Sequence, residues 1–265
     1  MKSDSSVSRN GDGVLRVAML HLDFVGGCQR RNLDKLTSAV EKAAAGGADW
    51  VITPEVAVQG YFFGGTPENI VAPSDDRLRP VTELAARHGL VVLLGCAERD
   101  ALSGAAHNSC LVIGPEGAVL GCHRKTKSIG PAEAWSVPGT EIVPIACPDL
   151  NAGVLICADS WVPENAVTLR DLGADVVIVP AAWPPGQHGP GDCWERGSAA
   201  SGLPFWVCNQ TGFHERLDFR AAVSAVLVDG AVKLSHQGPS DSLLLFDWDL
   251  ERGDTRSDAF DRVPM

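Results

Sequence analysis

Cys157, Glu55 and Lys125 are the residues of this chain whose types could, together, carry out covalent chemistry. Cys157 lies in the stretch Gly153-Val-Leu-Ile-Cys157-Ala-Asp159-Ser-Trp-Val-Pro163-Glu164. The run Val154 to Ile156 is apolar and β-branched and predicts a short buried strand; small and polar residues follow the thiol, and Pro163 suits the first turn of a helix. A thiol at such a strand-to-helix elbow is held rigidly near unpaired backbone N–H groups. A lone cysteine is ordinarily a packing residue, so its meaning depends on Glu55 and Lys125, each at or near the end of a predicted strand. A carboxylate in a dry pocket can accept the thiol proton and later return one to a leaving amine. A lysine ammonium can stabilise both a thiolate and the oxyanion formed when a carbonyl or nitrile carbon is attacked. Spacing by itself leaves the alternative open that Glu55 and Lys125 are solvated loop charges.

The elements that would position these groups follow from periodicity. Val14 to Leu22 predicts a strand, Leu33 to Ala45 a helix stopped by Gly46-Gly47, and Trp50 to Thr53 a second strand with Pro54-Glu55 at its end. Gly64 to Pro80 reads as loop, Val81 to His88 as helix and Leu90 to Cys96 as strand. Asn108 to Ile113 and Ala118 to Cys122 form a hairpin pattern around Pro115-Glu116-Gly117. Lys125 to Gly139 has no period. Further strands are predicted over Ile142 to Ile145, Gly153 to Ile156, Asp175 to Pro180, Phe205 to Asn209, Val223 to Val228, Val232 to Ser235 and Ser242 to Phe246, with helices over Val167 to Leu172 and Trp194 to Gly202. Strands alternating with helices, with no internal repeat or linker, indicate one α/β domain over residues 14–265 behind a polar, disordered tail over residues 1–13. The three reactive residues would then share the crevice at the strand ends.

Composition bounds the rest. A net charge of -11 over 265 residues argues against nucleic acid and anionic membranes as partners. No apolar run is long enough to span a bilayer, and the N-terminal residues lack a signal-peptide core. The eight cysteines are scattered without a CxxC pair, which points to reduced thiols and a cytoplasmic location. The histidines lack the clustered spacing of a metal site.

Three ordered motifs carry a resemblance: Pro54-Glu55-Val-Ala-Val-Gln-Gly60-Tyr61, then His123-Arg124-Lys125, then Ile156-Cys157-Ala-Asp159-Ser-Trp-Val-Pro163-Glu164. They resemble the signatures of the nitrilase, or carbon–nitrogen hydrolase, superfamily. The likeness runs from about Val14 to Phe246 and includes the Asn108-Ser109 pair and Asn209. It implies a four-layer α-β-β-α sandwich and a catalytic triad of Glu55 as general base and acid, Lys125 as oxyanion stabiliser and Cys157 as nucleophile. The N–H of Ala158 would be the second oxyanion donor. It also implies pairing into a homodimer or higher homo-oligomer, and no metal or organic cofactor.

The loop from Lys125 to Gly139 is similar to one that carries a second glutamate in amidase-like members, which gives Glu133 the task of orienting Lys125 or the substrate amide. Two positions depart from the superfamily pattern: Ala158 stands where an aromatic residue is common, and Trp161-Val162 where an Arg-aromatic pair is common. Tyr61, Trp183 and His188 are candidates for the substrate pocket, with Trp194 nearby. The expectation is a hydrolase acting on a small-molecule amide through a Cys157 thioester. The alternatives are a nitrilase or N-carbamoyl hydrolase using the same residues, or a non-hydrolytic binding or acyl-transfer relative.

Overall fold

The computed structural model describes residues 13–61, 67–214 and 217–265; the tail expected over residues 1–13 lies, apart from Gly13, outside them, as does part of the loop expected over Gly64 to Pro80. In chain order the elements are β1 (Val14–His21), α1 (Gln29–Ala45), β2 (Trp50–Ile52), α2 (Arg79–His88), β3 (Val91–Arg99), β4 (Ala106–Ile113), β5 (Val119–Arg124), β6 (Ile145–Ala146) and β7 (Asn151–Val154). After β7 come α3 (Pro163–Asp171), β8 (Val176–Ala181), α4 (Cys193–Ser201), β9 (Phe205–Asn209), β10 (Phe213–His214), β11 (Leu217–Asp218), β12 (Val223–Val228), β13 (Ala231–Gln237), β14 (Ser242–Asp249), β15 (Asp254–Thr255) and β16 (Asp261–Pro264).

Two sheets carry the architecture. One has the order β15-β14-β1-β2-β3-β4-β5 with β16 on β14, and the other the order β13-β12-β9-β8-β7-β6. Strand β1 shows why they stack. Its alternate residues Val17 and Met19 join a core shared with Trp50, Ile178 and Trp206, whereas Ala18 and Leu20 join one shared with Leu36, Val40 and Leu84 of α1 and α2. Both faces are buried, so the strand reads as a continuous apolar run rather than an alternating one. The first sheet thus packs on α1 and α2 through one face and on the second sheet through the other. Helices α3 and α4 cover the second sheet, with Ala166, Leu169 and Cys193 in its core. The result is the expected α-β-β-α sandwich. Between the sheets, Trp206 meets Trp50, Phe246 and Trp248 edge-on at centroid distances of 6.1, 5.4 and 5.2 Å.

Most predicted elements are present, and the differences have physical causes. The strand expected over Gly153 to Ile156 is Asn151–Val154, because the N–H of Ile156 is taken by the Asp159 carboxylate at 3.0 Å instead of a neighbouring strand. The strand expected over Ile142 to Ile145 shrinks to Ile145–Ala146, since Pro144 has no N–H to give a ladder. Helix α1 begins four residues before Leu33, with polar Gln29 and Asn32 buried on its inner face. The polar C-terminal segment adds β15 and β16, antiparallel to β14, where no hydrophobic pattern marked a strand. Among the described residues no helix is long and apolar enough to cross a membrane, and all eight cysteines are free.

Candidate active site

Glu55, Lys125 and Cys157 reach one place from three loops that follow strands. Glu55 sits three residues past β2, Lys125 directly past β5 and Cys157 three residues past β7. Lys125 Nζ donates to Glu55 Oε1 and to Glu133 Oε1, both at 2.6 Å. Glu55 Oε1 also accepts from Asn108 Nδ2 at 2.7 Å, and its Oε2 from the N–H of Ala182 at 3.0 Å. Tyr61 donates its hydroxyl to Glu133 Oε1 at 3.1 Å. Glu133 is fully buried, so the reading of it as a surface loop charge fails. Its 3₁₀ turn, Gly130–Glu133, breaks the aperiodic 125–139 loop and points the carboxylate inward.

The Glu55 loop is buried, and a buried loop must find partners for its backbone. Strand β3 supplies them: Thr53 N–H donates to Leu93 O, Val58 N–H donates to Gly95 O, and the Gln59 side chain accepts from the N–H of Ala97 at 2.8 Å. Gly95 is required here for space, because a Cβ on it would lie 2.1 Å from the Pro54 carbonyl oxygen. Gly60, at φ +76, is required twice over, since a Cβ there would meet the Val25 backbone at 2.3 Å.

The Cys157 elbow is a 3₁₀ turn, Cys157–Trp161, running into α3 at Pro163. Cys157 has φ +48 and Val56, the residue after Glu55, has φ +49. Left-handed backbone at non-glycine residues costs about 1–3 kcal/mol each, so the surrounding contacts must impose it. For Cys157 those contacts come from Asp159. Its Oδ2 accepts from the Ile156 N–H and from His123 Nε2, both at 3.0 Å, while its Oδ1 accepts from the N–H groups of Thr126 and Lys127 at 2.9 and 2.7 Å. One carboxylate therefore ties the Cys157 turn to the loop that carries Lys125. Burial alone would raise the Asp159 carboxyl; the hydrogen bond and charge of His123, with the Lys127 N–H, prevail and hold it low.

The electrostatics correct one expectation. The Lys125 ammonium was expected to favour a Cys157 thiolate. Instead burial, and then the charge of Glu55, push the thiol well above its ordinary range despite the opposing Lys125 charge, and its hydrogen bond to Glu55 adds to the rise. Burial also raises Glu55, assisted by Glu133 and opposed by Lys125. Burial would lower Lys125, but the charges of Glu55, Cys157 and Glu133 outweigh it and raise the ammonium. At rest a buried neutral thiol shares the site with a carboxylate that an ammonium holds in place.

The other candidates separate. Ala158 is fully buried in the first turn of the elbow, where N–H groups lack partners within the helix. Tyr61 is at the site through Glu133, and burial first, then Glu55 and Glu133, raise its hydroxyl well above the ordinary range. Trp183 follows Ala182, stacks edge-on against Trp161 of the elbow at 5.0 Å, and is pinned by Asn209 through both its N–H and its carbonyl. His188 is exposed; what it contributes is its carbonyl, which accepts from Trp183 Nε1 at 2.8 Å. Asn108, Asp159 and His123 hold Glu55 and the turns that carry Lys125 and Cys157 without having been assigned a role from sequence. Asn108 and Asp159 lay inside the resembling segments, which was the signal available. His123 opens the motif that carries Lys125, which was its signal.

Comparison with known proteins identifies the family. Residues 16–256 match the carbon-nitrogen hydrolase family model. Among curated relatives, an (R)-stereoselective amidase of a Pseudomonas species is 29% identical over 62% of this chain and 59% of its own length. A citrullinase of Francisella tularensis is 29% identical over 74% of each chain. The chain therefore spans less than two thirds of the amidase. Among solved structures, an amidase from a Nesterenkonia species superposes with a TM-score of 0.79 at 21% identity, over 93% of this chain and 95% of that one. With the family match covering nearly its whole length, the chain belongs to the carbon-nitrogen hydrolase family.

Proposed function

We propose that the chain hydrolyses a small carboxamide through a thioester on Cys157, with Glu55, Lys125 and Cys157 as the catalytic triad. The observation that carries this reading is the buried cluster in which one ammonium joins Glu55 to Glu133 in the charge field of the buried Cys157 thiol. Glu55 takes the thiol proton as sulfur attacks the carbonyl carbon, and the oxyanion forms against Lys125 Nζ and the Ala158 N–H. Protonated Glu55 then gives its proton to the leaving nitrogen, ammonia departs and the thioester remains. Water loses a proton to Glu55 and attacks the thioester; collapse of the second tetrahedral species releases the acid, and the sulfur regains a proton from Glu55. Each carboxylate oxygen of Glu55 is already held by a donor, so the base swings little between steps.

Glu133 favours a carboxamide over a nitrile, because it adds an acceptor and a charge beside the lysine that a substrate N–H can use. By the same resemblance the chain is proposed to form homo-oligomers, for which the exposed apolar Leu172 after α3 and Val232 on β13 provide surface; sedimentation showing only a monomer at micromolar concentration would overturn that. The functional test is ammonia release from a panel of small amides, with nitriles and N-carbamoyl compounds beside them, coupled to intact-mass detection of an acyl adduct. Amide turnover that vanishes in Cys157→Ala is expected. Turnover retained in that variant, or no turnover and no adduct with any compound, would refute the reading.

A further inference from the structure

Strands β8 and β9 end together, with Ala181 opposite Asn209 in their parallel register. Past that point the ladder stops, yet Trp183 stays buried, so its peptide N–H and carbonyl still need partners. The Asn209 side chain supplies both. Its Oδ1 accepts from the Trp183 N–H at 2.9 Å and from the Gln210 N–H at 3.1 Å, while its Nδ2 donates to the Trp183 carbonyl at 3.0 Å. With N–H groups facing one end and a carbonyl facing the other, only this orientation of the amide fits. An aspartate would set oxygen against the carbonyl, and a leucine would leave all of these buried backbone groups without their partner. Asn209 is itself fixed from behind. Its own N–H donates to Ser224 Oγ at 2.9 Å, and that hydroxyl lies 3.0 Å from Nδ1 of buried His21.

The segment that Asn209 holds touches both ends of the catalytic arrangement. Just before it, the Ala182 N–H donates to Glu55 Oε2 at 3.0 Å. Lys125 and Asn108 both serve the other oxygen, Oε1, so the Ala182 contact is what fixes the plane of the carboxylate. On the other side, the Trp183 ring stands edge-on to Trp161, the last residue of the Cys157 turn, at 5.0 Å and to Trp194 at 6.0 Å. Trp194 Nε1 donates to Ser160 Oγ at 3.2 Å, and Ser160 Oγ donates to the Cys157 carbonyl at 2.7 Å. We propose that Asn209 is a positioning residue for the reaction, setting the Glu55 carboxylate against the Cys157 turn through the Ala182–Trp183 peptide. This deepens the amide-hydrolase reading and rests on it. If Asn209 is lost, the Ala182 N–H drifts from Oε2. An N–H donor favours the ionised carboxylate, so Glu55 would then keep its proton to a higher pH. The titratable groups that face Glu55, namely Lys125, Glu133, Cys157 and Tyr61, are untouched by that change.

The test uses the full chain and a neutral amide that it turns over. Asn209→Ala should lower kcat by about 10²-fold with KM nearly unchanged, and should move the acid limb of kcat/KM to higher pH. Leu36→Ala, a truncation in the core between α1 and the first sheet, controls for general loosening and should leave the acid limb in place. Carbon NMR of the chain labelled at its glutamate carboxyls, with the Glu55 signal assigned through Glu55→Gln, reads the Glu55 midpoint with no substrate present. That midpoint should rise in Asn209→Ala and stay put in Leu36→Ala. If Asn209→Ala does not fold, Asn209→Ser, which keeps a hydroxyl for one of the bonds, is judged by the same readouts. A wild-type kcat and acid limb, a slow variant whose acid limb and Glu55 midpoint do not move, or equal shifts in Leu36→Ala would overturn the proposal. A raised Glu55 midpoint in a chain that turns over no amide would leave the placement of Asn209 standing and refute only the reaction.

Discussion

Replacing Glu133 by Gln keeps the shape of a fully buried side chain and removes only its charge. In the native site Oε1 accepts from Lys125 Nζ at 2.6 Å and Tyr61 at 3.1 Å, and Oε2 accepts from the Ile129 N–H at 3.3 Å. The Gln carbonyl can keep the first two contacts, but the bond to lysine loses its charge assistance, worth about 1–2 kcal/mol. The Gln NH₂ then faces the Ile129 N–H, donor against donor, for about 1 kcal/mol more. The sum, about 2–3 kcal/mol of misplaced lysine, predicts a fall in kcat/KM of about 10²-fold. A second readout separates this from simple damage. The Glu133 charge raises both Glu55 and Cys157, so its removal should lower both. The acid limb of kcat/KM, where Glu55 must be ionised to act as base, should move to lower pH in Glu133→Gln. Ammonia release measured from pH 5 to 9 reports both effects. A wild-type rate, or a slow variant whose acid limb does not move, would refute the orienting and electrostatic role of Glu133.

Lys125→Met leaves Glu55 and Glu133 buried without their shared cation and should destabilise by about 3–5 kcal/mol at pH 7. Glu55, already raised by burial, would rise further, so the loss should shrink as pH falls toward 5 and grow as pH rises; a pH-independent Tm difference from wild type would contradict this. Asp159→Asn gives up a carboxylate whose folded pKa is lowered, so it should cost about 2–4 kcal/mol at neutral pH, with the gap to wild type closing as pH falls through that low value; urea midpoints against pH check it. Gly95→Ala forces a Cβ onto the Pro54 carbonyl and should cost about 1–3 kcal/mol while displacing Glu55; normal ammonia release would show that the Glu55 loop tolerates the shift.

What could be read in the sequence was whatever periodicity or motif order reports. Strand β9 ends where its apolar run ends, at Asn209, and Pro163 opens α3 as its fixed φ favours. The three motifs located Glu55, Lys125 and Cys157, and the 125–139 loop yielded Glu133. The missing parts depend on contacts between distant segments, which no local pattern records. Nothing near Gly95 announces that it must clear the Pro54 carbonyl, and nothing near His123 announces that it will face Asp159, 36 residues away, at 3.0 Å. The end of β7 was misplaced for the same reason, since a side-chain carboxylate competes there with the ladder for the Ile156 N–H. The sign of the thiol shift was missed because adjacency to a lysine can be inferred from motifs, whereas full burial beside two carboxylates cannot.

That shift bears on how the site works. At rest one ammonium faces two carboxylates, and the thiol keeps its proton because a thiolate would be a third anion in the same dry space. In the proposed reaction, transfer of the thiol proton to Glu55 moves negative charge from carboxylate to sulfur without adding any, and burial has raised Glu55 to receive it. Attack on the carbonyl carbon moves the charge again, onto an oxygen facing Lys125. Lys125 is already fixed by two bonds of 2.6 Å, so it need not reorganise as the charge arrives. A thiol kept neutral in this way should be slow toward reagents that bring no carbonyl oxygen to the lysine, and fast only toward a substrate that does.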